Sequence, residues 1–146
     1  MKLNEIIAGA LYVRGKPNKL ARDVKLAALK RAGVNTVVCL VGGADPDLRY
    51  ASEVEYVYAP LSDSHRVSKS RLRYLRDLIV ERIRQGRGVM VHCQAGRCRS
   101  GLVASLVVAE LKGISTKAAL EYVRSRRPGA VANSYFERCL EEGTCL

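Results

Sequence analysis

The stretch Val89-Met90-Val91-His92-Cys93-Gln94-Ala95-Gly96-Arg97-Cys98-Arg99-Ser100-Gly101-Leu102 constrains the fold more than any other part of the sequence. An apolar run ends at His92-Cys93, a short segment holding Gly96 follows, and Arg99-Ser100-Gly101 opens a long apolar segment. The pattern predicts a strand, a tight loop and a helix. Such a loop turns its backbone N–H groups towards one point, and the helix N-terminus adds unpaired N–H groups and a partial positive charge, so the cradle suits a dianion such as phosphate. Gln94, Ala95, Gly96, Arg97, Cys98 and Arg99 are the residues expected to line it.

Cys93 stands at the rim of this cradle. The helix dipole, the converging donors and nearby arginine all favour thiolate over thiol, which makes Cys93 a candidate nucleophile. Arg99, six positions on, can return over the loop and hold two phosphate oxygens with its planar fork, which a lysine cannot do. Ser100 can donate a hydrogen bond to the sulfur.

His92-Cys93, five residues, then Arg99-Ser100 resembles the signature of the cysteine-dependent protein tyrosine phosphatases, most closely their compact dual-specificity group. Low-molecular-weight tyrosine phosphatases and arsenate reductases share the Cys-to-Arg spacing. Their loop, as that resemblance has it, lies near the N-terminus, whereas here it starts at residue 93. The resemblance implies an α/β fold, a central mostly parallel sheet flanked by helices, and a cysteinyl-phosphate mechanism without metal or cofactor. It also implies that His92 orients the Cys93 backbone. Arg97 and Cys98 depart from the commonest pattern, which has small or apolar residues in those places.

A general acid is the second requirement, because an alkoxide leaving phosphorus needs a proton in the transition state. The loop Pro60-Leu61-Ser62-Asp63-Ser64-His65 joins a predicted strand to a Ser-capped helix, and Asp63 is its single carboxylate. The family places its acid in such a loop, at such an interval before the cysteine, so Asp63 is the candidate and His65 its competitor. Compact members also carry an Arg-Pro-Gly turn, here Arg127-Pro128-Gly129, followed by a polar residue facing the pocket. Asn133 is the nearest match, and Ala132 stands where related sequences often have Gln.

The rest of the chain reads as a frame for these residues. Ile6 to Val13 predicts a short strand or strand pair interrupted by Gly9, with a turn at Gly15-Lys16-Pro17-Asn18. A helix over Ala21 to Ala32 stops at Gly33, and Asn35 to Val41 is β-branched and apolar, as a strand buried on both faces should be. Gly42 to Asp47 reads as a loop, and Val54 to Ala59 as another strand. A helix from Ser70 to Gln85 buries Leu72, Leu75, Ile79 and Ile83; Arg99 to Lys112 is apolar nearly all round; and Ser115 caps a further helix. One domain over residues 1–146 is the simplest organisation.

Composition limits the alternatives. With 48% hydrophobic and 27% charged residues, neither disorder nor a membrane span is indicated. Met1 to Glu5 is followed by no signal-peptide core, so the cytoplasm is the expected compartment. Five cysteines are an odd number and Cys93 must stay a thiol, which fits a reducing compartment better than a disulfide framework. Cys39 reads as inert core, and Cys139 and Cys145 can pair without being compelled to. Cys98 is open to two readings, a small residue pointing away or a second thiol that condenses with oxidised Cys93.

The net charge of +11 favours anionic substrates. The substrates expected are phosphorylated proteins or peptides, bearing phosphotyrosine and also phosphoserine or phosphothreonine. No deep aromatic recognition segment precedes the loop, so the site should be shallow. The same chemistry on an RNA 5′-triphosphate or an inositol phosphate is the nearest alternative, favoured by Arg97 and the charge. A phosphate-binding scaffold without turnover and a nucleic-acid binder belong to other classes, and the last rests on charge alone.

Overall fold

The computed structural model describes residues 1–17 and 19–146, so Asn18, the last residue of the turn expected after the first strands, lies outside the described residues. The strands are β1 (Asn4–Ile7), β2 (Leu11–Arg14), β3 (Val34–Cys39), β4 (Glu55–Tyr58) and β5 (Gly88–His92). The helices are α1 (Arg22–Ala32), α2 (Pro46–Arg49), α3 (Lys69–Arg84), α4 (Cys98–Lys112), α5 (Thr116–Arg126) and α6 (Ser134–Glu142).

The strands form one sheet in the order β1-β2-β5-β3-β4. Every neighbouring pair is parallel except the hairpin β1–β2, which turns at Gly9 with a φ of 70°. The expected mostly parallel sheet is therefore observed, with one antiparallel edge. β5 is central: Val91 lies opposite Val13 on one side and Val38 on the other, and His92 opposite Arg14 and Cys39. All five residues of β5 are buried, which explains its unbroken apolar reading.

Both faces of the sheet are covered. Leu72, Leu75 and Ile79 of α3 and Leu102, Val103, Ala104, Leu106, Val107 and Val108 of α4 join Leu11, Val13, Val38, Val89 and Val91 in the larger core. Leu29 of α1 and Leu48 of α2 cover the other face over Val37 and Met90. α4 is buried from Ser100 to Val108, so its N-terminus has little freedom to tilt. Truncating Leu106 to Ala would cost about 2–5 kcal/mol and loosen that anchorage.

Several expectations need correction. The segment expected as a loop from Gly42 to Asp47 contains the start of α2, with Pro46 at its first position and Asp45 as its cap. On α1, Lys25 is buried and Val24 is 43% exposed. The Lys25 ammonium lies 2.7 Å from Asp45 and 2.9 Å from Asp47, so a charge enters the interior because two carboxylates meet it there. Burial draws its pKa down, but the hydrogen bonds and charges of Asp45 and Asp47 outweigh that, and the net direction is up. Cys139 and Cys145, which the sequence allowed to pair without compelling it, are joined in a disulfide at the end of α6; Cys39, Cys93 and Cys98 are free thiols. Among the described residues no helix is long and apolar enough to cross a membrane.

Candidate active site

The carboxyl end of β5 and the N-terminus of α4 enclose a loop from Cys93 to Arg97. Gly96 has a φ of 71°, and a Cβ there would overlap the backbone of Arg14 and Gly15, so only glycine fits. The neighbouring end of β2 buttresses the loop from outside: Lys16 N donates to Gln94 O at 3.2 Å, and Gly15 leaves room for that same carbonyl. Arg127 supports it from the other side, Nε donating to Gly96 O at 3.2 Å and Nη2 to Ala95 O at 3.3 Å. With these carbonyls drawn outwards, the N–H groups of the same peptides turn inwards.

Cys93 is 2% exposed at the mouth of this ring. Burial raises its pKa, but the Ser100 hydroxyl, 3.4 Å from the sulfur, and the backbone N–H groups of Ser100, Arg97 and Gly96 overcome that, and the thiol titrates below its ordinary range. Ser100 is itself buried. The donors assembled around Cys93 are suited to hold negative charge, first on sulfur and then on an oxyanion.

Arg99 rises from the first turn of α4. Its Nε is buried without a hydrogen-bond partner among the described residues, and Nη1 reaches only Leu61 O, at 3.4 Å. A guanidinium that is partly desolvated and under-used is prepared for an acceptor such as a bidentate phosphate. Arg97 occupies the N-cap position of α4 with its side chain exposed and directed towards the Gly129 turn. Its carbonyl accepts from Gly101 N and Val131 N. Cys98, half-buried, packs on the larger core.

The loop bearing Asp63 is fastened at several points. Leu61 N donates to Leu40 O at 3.0 Å, Arg71 Nη1 donates to Pro60 O at 2.7 Å, and Leu61 O meets Arg99. Asn133 Nδ2 donates to both the backbone carbonyl and Oδ1 of Asp63, each at 3.0 Å. The other end of that amide, Oδ1, accepts from Tyr135 N and Phe136 N and so caps α6. The amide of Asn133, a candidate substrate contact, is thus hydrogen-bonded to Asp63 and to its own helix. His65 lies edge-on to the Tyr135 ring, with centroids 6.2 Å apart.

His92 is fully buried and neither imidazole nitrogen has a hydrogen-bond partner among the described residues. Burial pushes its pKa down to about 4, and the ring is neutral at physiological pH. No bond from the ring to the Cys93 backbone meets full hydrogen-bond geometry, yet that backbone is the first influence opposing the fall, the direction that the contact implied by the resemblance would give.

Arg127 was not singled out as a site residue by sequence. Its position before Pro128-Gly129 marks a helix end, whereas its contribution is made to backbone carbonyls, which leave no side-chain pattern.

Residues 19–144 match the family model described as dual specificity phosphatase, catalytic domain. The chain is 31% identical to Tk-PTP, whose crystal structure in the active form aligns with a TM-score of 0.73 over 96% of each chain. It is 38% identical over 66 residues to dual specificity protein phosphatase 1 of Arabidopsis thaliana, covering 45% of this chain and 33% of that protein. Over 135 residues it is 26% identical to dual specificity protein phosphatase Mpk3 of Drosophila melanogaster, covering 90% of this chain and 31% of that one. The chain therefore spans about a third of the length of these two relatives.

Proposed function

We propose, from the premise that this chain belongs to the dual specificity phosphatase family, that it hydrolyses phosphomonoesters of proteins through a cysteinyl-phosphate intermediate. The observation that supports the reading is geometric: Cys93 stands among the Ser100 hydroxyl and the donors of its loop, the Arg99 guanidinium is under-used, and Asp63, held by Asn133, lies two residues beyond the Leu61 carbonyl that Arg99 meets. In the first step the Cys93 thiolate attacks phosphorus in line. A sulfur–phosphorus bond forms and the ester oxygen–phosphorus bond breaks, while Asp63 supplies its proton to the leaving oxygen. Arg99 and the N–H groups of the loop hold the equatorial oxygens. In the second step Asp63 takes a proton from water as that water attacks phosphorus, and the sulfur leaves as a thiolate. The Ser100 hydroxyl donates to it and makes it a better leaving group.

Phosphotyrosine, phosphoserine and phosphothreonine side chains are the proposed substrates, and the cytoplasm is the proposed compartment. The chemistry assigned to these residues needs no metal. Arg97, exposed within the loop, and the net charge of +11 favour a second reading, the same chemistry on a polyanion such as an RNA 5′-triphosphate or an inositol phosphate. Turnover of phosphopeptides measured beside those polyanions decides between them.

The reading is tested by Cys93→Ser, which should abolish turnover and retain phosphate binding, and by Arg99→Lys, which should damage both. Activity should survive chelator and be lost to vanadate. Asp63→Asn should slow alkyl phosphates more than activated aryl phosphates, because a good leaving group scarcely needs the proton. Retained turnover in Cys93→Ser puts the nucleophile elsewhere, and equal losses on both ester types remove Asp63 as the acid. Redox sensitivity belongs to the same reading: limited peroxide followed by dithiothreitol should restore the wild type more fully than Cys98→Ser. Equal recovery excludes Cys98 as the resolving thiol.

A further inference from the structure

We propose that Arg124 is a positioning residue that holds the phosphate loop and the acid loop in one register through residues 130–133; the proposal rests on the phosphatase reading above. Arg124 stands in the last turn of α5, and its guanidinium spans three acceptors. Nε donates to Ala130 O at 3.0 Å, Nη2 donates to Val131 O at 3.0 Å, and Nη2 also pairs with the Glu137 carboxylate on α6. Two consecutive carbonyls are thereby drawn towards α5.

The segment so held is not relaxed. Val131 has a φ of 59°, among the described residues the one non-glycine in the left-handed region, where a β-branched side chain is rarely found. It is fully buried. A conformation of this kind persists only when its surroundings over-determine it. Here the turn directs Val131 N to Arg97 O at 3.1 Å, at the N-cap of α4. It also brings a Val131 methyl to within 3.0 Å of where a Cβ on Gly101 would stand, so α4 and the turn are in close contact. Two residues further on, Asn133 holds the Asp63 carboxylate.

One short segment therefore touches the start of the phosphate-binding helix at Val131 and the acid at Asn133. Arg124 fixes the carbonyls between these contacts, and Glu137 fixes the plane of its guanidinium. A lysine has the charge but not the fork, and cannot serve two carbonyls and a carboxylate in one plane. Without Arg124 the turn at Val131 is free to relax, so the Arg97 carbonyl and the Asp63 carboxylate lose their register together.

The test uses the full chain with Arg124→Met, Arg124→Lys, Glu137→Gln and, as a control for stability alone, Leu120→Ala in the buried face of α5. Inorganic phosphate binding is measured by calorimetry with each change placed in the Cys93→Ser background. Turnover of an alkyl and an aryl phosphate is measured with Cys93 intact. Arg124→Met should weaken phosphate binding and lower the alkyl-to-aryl kcat ratio, each about tenfold, the size expected of a sub-ångström misplacement. Arg124→Lys should resemble it, and Glu137→Gln should show a smaller loss in both. Leu120→Ala should lower the thermal midpoint while leaving both readouts within about twofold of the parent. If Arg124→Met does not fold, Arg124→Lys decides the matter.

Both readouts remaining within twofold in the folded Arg124 variants, or a loss in one readout alone, overturns the proposal. So does a loss in Leu120→Ala as large as in Arg124→Met. If the wild type hydrolyses no phosphomonoester, the phosphatase reading fails, while phosphate binding still reports whether Arg124 organises the loop.

Discussion

Acidification should expose the neutral, buried state of His92. An imidazole of ordinary pKa 6.5 is pushed down to about 4 in the folded chain, chiefly by burial; the Cys93 backbone and Asp45 oppose that shift, and Arg14 and Lys16 add to it. Between those two pH values the unfolded chain binds a proton that the folded chain refuses. The stabilisation is therefore complete above pH 6.5, declines as pH falls, and stops declining near pH 4. At 1.36 kcal/mol per pKa unit the interval corresponds to about 3 kcal/mol, a large part of the stability of a domain this size. Urea unfolding of the wild type and of His92→Gln at pH 7.5 and pH 4.5 measures it. Carboxylates such as Glu55, held low first by its bond to Arg82, titrate in both proteins and cancel in the comparison. The wild type should lose about 2–3 kcal/mol more than the variant over this range. Equal losses would refute the assignment of a neutral, buried imidazole.

Gly96→Ala should abolish phosphate binding and lower the thermal midpoint, since its Cβ has no space against Arg14 and Gly15; calorimetry showing parental affinity would reject the packing argument. Arg127→Met removes two bonds to loop carbonyls and should weaken phosphate binding by about 1–2 kcal/mol, a factor of roughly 5–30, without changing the alkyl-to-aryl ratio. Alkylation of Cys93 by iodoacetate should titrate below the ordinary thiol range, and Ser100→Ala should move that profile upwards; an unmoved profile would exclude the hydroxyl as a source of the acidity.

The parts of the chain that spoke most clearly in sequence are those whose side chains carry a periodic or chemical pattern. The buried strands β3 and β5, the apolar helix α4 and the Ser115 cap lie where apolar runs and capping residues predicted them. Cys93 and Arg99 were legible because loop geometry and phosphate chemistry restrict both residue type and spacing. Asp63 was legible only relative to them, since a carboxylate between two serines reads locally as a turn former. The burial of Lys25 left no mark in the sequence, because a lysine on an amphipathic helix ordinarily faces water and its two partners are distant along the chain. Arg124, Arg127 and the Asn133 amide act through carbonyls or a single tether across the fold. Such contacts depend on where a turn finishes in space, which neither periodicity nor propensity encodes.

The position of β5 between β2 and β3 has a consequence for the chain before it is folded. The strand that delivers Cys93 is the last of the five in sequence, yet it must enter between two strands made much earlier. Its pairings are long-range, so they are among the slower contacts to form on topological grounds. Until they form, the loop has no buttress from Arg14 and Gly15, the donors do not converge, and Cys93 is a thiol of ordinary acidity near pKa ~8.5. Reactivity is thus withheld from the nascent chain. An incompletely assembled molecule offers oxidants and electrophiles an unremarkable cysteine, and the vulnerable thiolate comes into being only together with the enclosure that shields it.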